Sequence, residues 1–384
     1  MRFEFASVNR IVFGPGTLKE VGGIASTFGK HALVVVGYGA ADPAQLLSYL
    51  HEKGVATMVY TVQGEPTLAL VEQGVRQVQT LGCDLLVGFG GGSVIDTAKA
   101  ISGLATNPGE LIDYLEVIGL GKTLTKPALP VIALPTTAGT GAEVTRNAVL
   151  TAPDQQMKVS LRSSYLFPRV ALVDPELTLS VPPAVTASTG MDALVQLIEP
   201  FVSPRANPVT DAFCRDGMAR AARSLLKAFS HGDDAAARED MALASLLGGL
   251  SLANAGLGAV HGFASPIGGM FNAPHGAVCA RLLAPVMSVN HRALSERLPE
   301  SAALQRYYEV ARILTADASA SLDDGLVWVE RLCKDLSIPG LSTYGISQED
   351  IPLLVAKGAA ASSMQANPIK LTEDELTEIL HRAL

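Results

Sequence analysis

Apolar runs alternating with helical patterns constrain the first 175 residues more than any other feature of this chain. HALVVVG (31–37), VATMVYTV (55–62), CDLLVGFG (83–90) and PVIALPTT (130–137) are apolar at nearly every position. Helical patterns follow the first two at about 42–53 and 67–81, and a third begins near Ser93. A strand that is apolar on both faces must be covered on both, which predicts a parallel sheet wrapped by helices. A β-hairpin is predicted at 147–160, with Pro153 and Asp154 in its turn. The opening MRFEFASVNRIVFGPG lacks the apolar core of a signal peptide and reads as an edge strand or hairpin.

The texture changes near Pro182. Beyond VALVD (170–174) the pattern is helical, with Ala/Leu-rich segments punctuated by Pro200, Pro204, Pro208, Gly232, Pro266 and Pro285. Thr372 and Glu375 form a T-x-x-E capping box ahead of the last helix. The expected organisation is an α/β domain with a Rossmann-like sheet over 1–180 and an all-helical domain over 181–384. A length of 384 residues suits two domains of roughly 100–200 each.

Charged residues make up 17% of the chain, below the ~25% of ordinary soluble domains, so much of it is buried in its own core or against another subunit. Asp and Glu outnumber Lys and Arg by 37 to 29, which argues against nucleic acid or an anionic membrane as partner. Cys83, Cys214, Cys279 and Cys333 lie far apart without a CxxC pair. That excludes a disulfide framework and a zinc–thiolate motif, and it fits a reducing cytoplasm. Residues 241–280 contain no Asp, Glu, Lys or Arg. Met241–Val260 has the ~20-residue length of a membrane span, but it is rich in Gly, Ala, Ser and Asn and runs into His261, Pro266, Pro274 and His275. It is read as a buried interior helix.

Four segments carry chemistry. GFGGGSVIDTAKA (88–100) ends a strand in three glycines and starts a helix at Ser93, an arrangement suited to a pyrophosphate or simply a tight turn. PTTAGTGAEVTRNAV (135–149) offers the hydroxyls of Thr136, Thr137 and Thr140 at the end of another strand, where open α/β sheets bind nucleotides. A polar loop is the plain alternative. In TGMDALVQLIEPFVS (189–203), Asp192 and Gln196 share a helix face among apolar neighbours. An unpaired carboxylate there is costly, so Asp192 needs a metal or hydrogen bonds, unless it answers a helix N-terminus. AVHGFASPIGGMFNAPHGAV (259–278) holds His261 and His275, which are either core histidines or ligands. With Asp192, and with Gln196 supplying a carbonyl oxygen, they make an N/O metal site.

These segments resemble the iron-containing (group III) alcohol dehydrogenases, of the dehydroquinate synthase-like superfamily. FGPGTL (13–18), GGGSVIDTAKA (90–100), PTTAGTGAEVT (135–145), KVSLRS (158–163), VDPELTLSVP (173–182), GMDALVQLIEPFVS (190–203), APHGAV (273–278) and NPIKLTEDEL (367–376) carry the resemblance. It implies NAD or NADP in a cleft between the domains, with Gly91, Gly92 and Ser93 on the pyrophosphate. Asp96 is implied to lie close to the cofactor, and Thr136, Thr137, Asn147 and Lys158 to line it. The family's metal ligands, an Asp and three His, fall on Asp192, Gln196, His261 and His275, with Fe²⁺ first and Zn²⁺ or Mn²⁺ as alternatives. A homodimer or higher homo-oligomer is also implied.

The sequence departs from the family at four places. Gln196 replaces a ligand His, and Ser265 replaces a His found four residues after the third ligand. Gly37 stands where NAD-preferring relatives often carry Asp, and Glu65 stands for an Asn. The expected activity is hydride transfer between a small alcohol or aldehyde and nicotinamide, with Asp192, His261 and His275 at the reacting centre. Phe263, Phe271 and Leu257 point to a modest apolar substrate. The alternatives are a metal-independent maleylacetate reductase-like enzyme, a lyase resembling dehydroquinate synthase, and a dinucleotide-binding relative without turnover.

Overall fold

Strand β2 (His31–Gly37) shows how the sheet forms: Leu33 and Val35 enter one apolar cluster while Ala32, Val34 and Val36 enter another. Each fully buried Val or Leu contributes about 1.5–3 kcal/mol, so a strand apolar on both faces is held from both sides. The computed structural model describes residues 2–38, 41–155 and 157–384. Strands β1 (Arg10–Phe13), β2, β3 (Ala56–Val62), β4 (Leu85–Gly90), β5 (Val131–Pro135) and β8 (Val170–Val173) form one sheet. Its order is β1-β8-β5-β4-β2-β3, and every pairing is parallel. The α/β expectation therefore stands. The N-terminal β1 is an edge strand, as expected, laid beside the last strand of the sheet. The hairpin is β6 (Asn147–Ala152) with β7 (Met157–Arg162), and Pro153 and Asp154 lie in the connection.

Helices α1 (Val21–Ala25), α2 (Ala44–Glu52), α3 (Leu68–Leu81), α4 (Gly92–Thr106) and α5 (Leu111–Tyr114) accompany these strands. The chain is helical beyond them: α6 (Pro183–Val202), α7 (Pro208–Ser230), α8 (Ala235–Ala255), α9 (Ala259–Met270), α10 (His275–Arg297), α11 (Ala302–Thr315), α12 (Leu322–Asp335), α13 (Ile351–Ala360) and α14 (Glu373–Ala383). Thr372 and Glu375 cap α14 reciprocally. By their contacts the residues divide into two compact units. One is Ser7–Thr137 with Gly141–Ser180, and the other is Val181–Leu384 with Ala138–Thr140 and the N-terminal segment through Ala6.

The sheet unit has a topological switch. The chain runs outward from β2 to β3 on one side and from β4 to β5 on the other, while β2 and β4 are neighbours. Crevices at the carboxyl ends of such a strand pair are where open α/β sheets receive ligands.

In the helical unit, the uncharged stretch is not one helix. α8 stops at Ala255, Gly256 takes φ 75°, and α9 departs at 101°. Only glycine adopts that backbone without strain, and the Ser203 hydroxyl donates to the Ala255 carbonyl 2.7 Å away, closing the helix end. A continuous helix through Val260 is thus corrected to a sharp corner. Among the described residues no single helix is long and apolar enough to cross a membrane.

Candidate functional sites

Helix α6 places Asp192, Gln196 and Glu199 along one face of the helical unit, and all three are buried. Asp192 lies mid-helix, so it does not answer the N-terminus of its own helix. Gln196 Nε2 donates to Asp192 Oδ2 over 2.8 Å. Asp192 Oδ1 and Gln196 Oε1 remain buried without a hydrogen-bond partner. An orphaned buried carboxylate oxygen costs free energy unless something positive faces it.

Two imidazoles face it. His261 Nε2 is 3.3 Å from Asp192 Oδ1, and His275 Nε2 is 3.6 Å away. His261 sits in the first turn of α9, whose N-terminus is anchored by side chains. Val260 N–H donates to Glu199 Oε1 over 2.7 Å, and Ala259 N–H donates to Asn367 Oδ1 over 3.1 Å. Asn367 is itself fixed by amide hydrogen bonds exchanged with Asn290. Glu199 Oε2 lies 2.6 Å from His261 Nδ1. A carboxylate only accepts, so Nδ1 carries a proton toward Glu199, and Nε2 is the nitrogen turned toward Asp192.

His275 is the first residue of α10, and Gly276 lets that helix start lie directly on α6. A Cβ at Gly276 would fall 1.9 Å from the Ser188 carbonyl oxygen. One turn along α10, Cys279 Sγ lies 3.7 Å from His275 Nε2 and 3.9 Å from His261 Nε2. The donor atoms of Asp192, His261, His275 and Cys279 all lie within 4.8 Å of one another. Burial pushes both imidazoles toward the neutral form. The neighbouring Cys279 sulfur, with Glu199 and Asp192 at His261 and with Asp192 at His275, outweighs it and raises both pKa values. Burial likewise opposes the Asp192 charge, but His275, His261 and Gln196 together hold its pKa below the usual range. A pocket that draws positive charge, with an orphaned carboxylate oxygen and N, O and S donors, fits a divalent cation.

The sequence reading missed Glu199 and Cys279. Both carried a signal: Glu199 is two turns from Asp192, and Cys279 one turn past His275. A search for paired cysteines overlooks a single thiol beside histidines, and Cys279 Sγ stands among these donor atoms. Phe263, read as a substrate wall, is fully buried in the helical core, whereas Leu257 and Phe271 are half-buried.

In the sheet unit, Gly37 ends β2 and Gly90 ends β4, its neighbour. Gly91 caps α4, whose first residues are Gly92 and Ser93. Thr136 N–H donates to the Gly90 carbonyl over 3.0 Å, and a Cβ on Gly91 would lie 3.3 Å from Thr137 Oγ1. Gly37, Gly91, Gly92, Ser93, Thr136 and Thr137 therefore gather at the carboxyl edge of β2, β4 and β5. Asp96 lies deeper. Its Oδ2 accepts from Val149 N–H at 2.9 Å, and its Oδ1 is 2.8 Å from Lys99 Nζ. Lys99 also donates to the Ala142 carbonyl and the Thr145 hydroxyl, so Asp96 and Lys99 tie α4 to the following loop and hairpin. Asn147 begins β6, and Lys158 on β7 pairs with Glu65 at 2.8 Å. Thr140 groups with the helical unit.

A family model described as "Iron-containing alcohol dehydrogenase" matches residues 8–175, and one described as "Fe-containing alcohol dehydrogenase family, C-terminal" matches residues 186–384. The 1,3-propanediol dehydrogenase of Klebsiella pneumoniae is 35% identical over 99% of this chain and 98% of its own. The NAD-dependent methanol dehydrogenase of Bacillus methanolicus is 36% identical, covering 97% of each. Among solved structures, a 1,3-propanediol oxidoreductase superposes with TM-score 0.92 at 34% identity over the whole of both chains. A sulfoacetaldehyde reductase from Bifidobacterium kashiwanohense in complex with NAD⁺ gives 0.87 at 30% identity, covering 100% of this chain and 99% of its own.

Proposed function

The chain belongs to the iron-containing alcohol dehydrogenase family, and from that premise we propose how its residues serve hydride transfer between a small alcohol and a nicotinamide. It is an NAD(P)-dependent oxidoreductase acting on CH–OH groups. The observation that carries the site assignment is the buried, orphaned Asp192 Oδ1 facing two imidazoles. Asp192, His261 and His275 would hold a divalent ion, Fe²⁺ or Zn²⁺. When bound, the ion supplies Lewis-acid polarisation of the substrate oxygen.

The protein supplies orientation and dryness. Glu199 holds the His261 tautomer, and Gln196 fixes the Asp192 carboxylate. The absence of charged side chains from 241–280 keeps water from competing for the donors. In the sheet unit, the amides at the start of α4 receive the pyrophosphate, as helix N-termini receive anions. Gly37 presents no carboxylate to a ribose 2′-phosphate, so NADP is accepted alongside NAD. Thr136, Thr137, Thr140, Asn147 and Lys158 line the cofactor, while Asp96 acts behind it by holding α4 to the hairpin. The substrate is a modest, largely apolar alcohol or its carbonyl partner. The protein works as a homo-oligomer, and its place is the cytoplasm, the latter reading supported by four buried free cysteines.

The test follows NAD(P)H absorbance over a panel of alcohols and aldehydes, using protein loaded with Fe²⁺ or Zn²⁺, before and after chelation. Turnover is expected to disappear with the metal and return on reloading. Full activity after complete metal removal would favour the maleylacetate reductase-like reading instead.

A further inference from the structure

We propose that Cys279 supplies a thiolate ligand to the ion held by Asp192, His261 and His275, so that α10 contributes two of the donors. This rests on the metal reading above and names the donor set of that site.

The distances carry it. Bond lengths of about 2.0–2.2 Å to N and O and about 2.3 Å to S place tetrahedral donors roughly 3.3–3.7 Å apart. Of the six separations, those from Asp192 Oδ1 to the two imidazoles are 3.3 and 3.6 Å, those from Cys279 Sγ to the same nitrogens are 3.7 and 3.9 Å, a little beyond that range at the last, and the other two are within 4.8 Å. Cys279 is fully buried and Asp192 is 2% exposed, so neither donor is turned to solvent. Asp192 Oδ1, without a hydrogen-bond partner, points into this group.

Only half of the Gln196 amide is committed, and its Oε1 is buried without a partner. Its amide nitrogen donates to Asp192 Oδ2, and exchanging its N and O would set two oxygens against each other at 2.8 Å. It is a positioning residue: it holds one carboxylate oxygen so that the other faces the donors. The remaining cysteines do not share this setting. Cys333, for example, donates to the Ala280 carbonyl.

Coordination by Cys279 has a definite chemistry. The S–H bond breaks as the S–metal bond forms, and one proton leaves for solvent. A thiolate favours Zn²⁺ and Fe²⁺ over Mn²⁺ and Mg²⁺, because it is the softest donor in the set.

The test loads the metal-free full-length protein with Co²⁺ and records its absorption spectrum. A thiolate-to-cobalt charge-transfer band in the near ultraviolet is expected, together with visible d–d bands. The Gln196→Ala variant should keep the charge-transfer band, and Cys279→Ser should lose it while keeping the d–d bands. Cys279→Ser should also weaken Zn²⁺ binding, measured against a competing chelator, by more than the roughly 10–100-fold typical of outer-shell changes. Stoichiometric Co²⁺ without a charge-transfer band in the unaltered protein would overturn the thiolate and leave the metal site standing. Failure to bind Co²⁺ at all would overturn both. If Cys279→Ser does not fold, the spectra of the unaltered protein and Gln196→Ala still decide.

Discussion

Glu199 Oε2 and His261 Nδ1 are 2.6 Å apart in the interior of the helical unit, and the same carboxylate accepts the Val260 N–H through its other oxygen. One side chain on α6 therefore sets both where α9 begins and which imidazole nitrogen faces the donors. Replacing Glu199 by Gln keeps the volume but lets an amide N–H donate to Nδ1, which moves the imidazole proton to Nε2. Metal affinity should fall roughly 10–100-fold, as for other outer-shell changes. A competitive chelator titration measures it, and an unchanged affinity would show that Glu199 does not control the tautomer.

Gly276→Ala tests the contact between α10 and α6. Alanine is the better helix former by up to about 1 kcal/mol, yet its Cβ would meet a backbone carbonyl 1.9 Å away that cannot rotate aside. The clash wins. Urea unfolding should report a loss of about 1–3 kcal/mol, typical of overpacking, and bound metal should drop with it. A variant as stable as the parent and fully metallated would contradict the close approach.

Asn367→Leu probes the anchor of α9. Asn367 serves the Ala259 N–H, both functions of the Asn290 amide and the Ile369 carbonyl. Leucine leaves several of these buried groups unpaired, at about 1–3 kcal/mol each. Chemical denaturation should therefore show a loss of several kcal/mol. A cost below about 1 kcal/mol would mean that water replaces the amide.

Glu143 gives a pH signature in the sheet unit. Burial raises its carboxyl to about 7, against weaker opposition from a backbone hydrogen bond and the Lys99 charge. A carboxyl whose folded pKa exceeds its unfolded value of 4.5 contributes stability below that value. The contribution is lost as pH rises through about 7, because the folded state must then carry a buried charge. Relative to Glu143→Gln, the unaltered protein should lose on the order of 3 kcal/mol between the two pKa values. Melting curves from pH 4.5 to 8 measure the difference. Parallel profiles for the two proteins would place Glu143 in a wetter setting than the structure gives it.

The sheet was legible because its strands are apolar on both faces, as Leu33 and Val34 show by entering different clusters. The cap of α14 was legible because Thr372 and Glu375 interact within one turn. The corner at Gly256 was not. Its cause is the Ser203 hydroxyl on one side and the anchors of α9 at Glu199 and Asn367 on the other, all distant in sequence. At the candidate site, Asp192, His261 and His275 stood out as polar residues in apolar surroundings. Cys279 did not, since a lone cysteine among alanines and valines resembles core packing. Gln196 was visible, but the direction of its amide depends on a partner one helical turn away.

The bare contact between Gly276 and the Ser188 carbonyl bears on how such a centre is remodelled. Two main chains meet there without an intervening side chain, so the crossing of α6 and α10 does not depend on which donors the helices carry. Donors at 192, 275 and 279 can be exchanged like fittings on a fixed frame, changing the preferred ion while the frame persists. The glycine has no such freedom. In a mutational library of this protein scored for folding rather than turnover, tolerance should be greater at the donor positions than at the one that has no side chain.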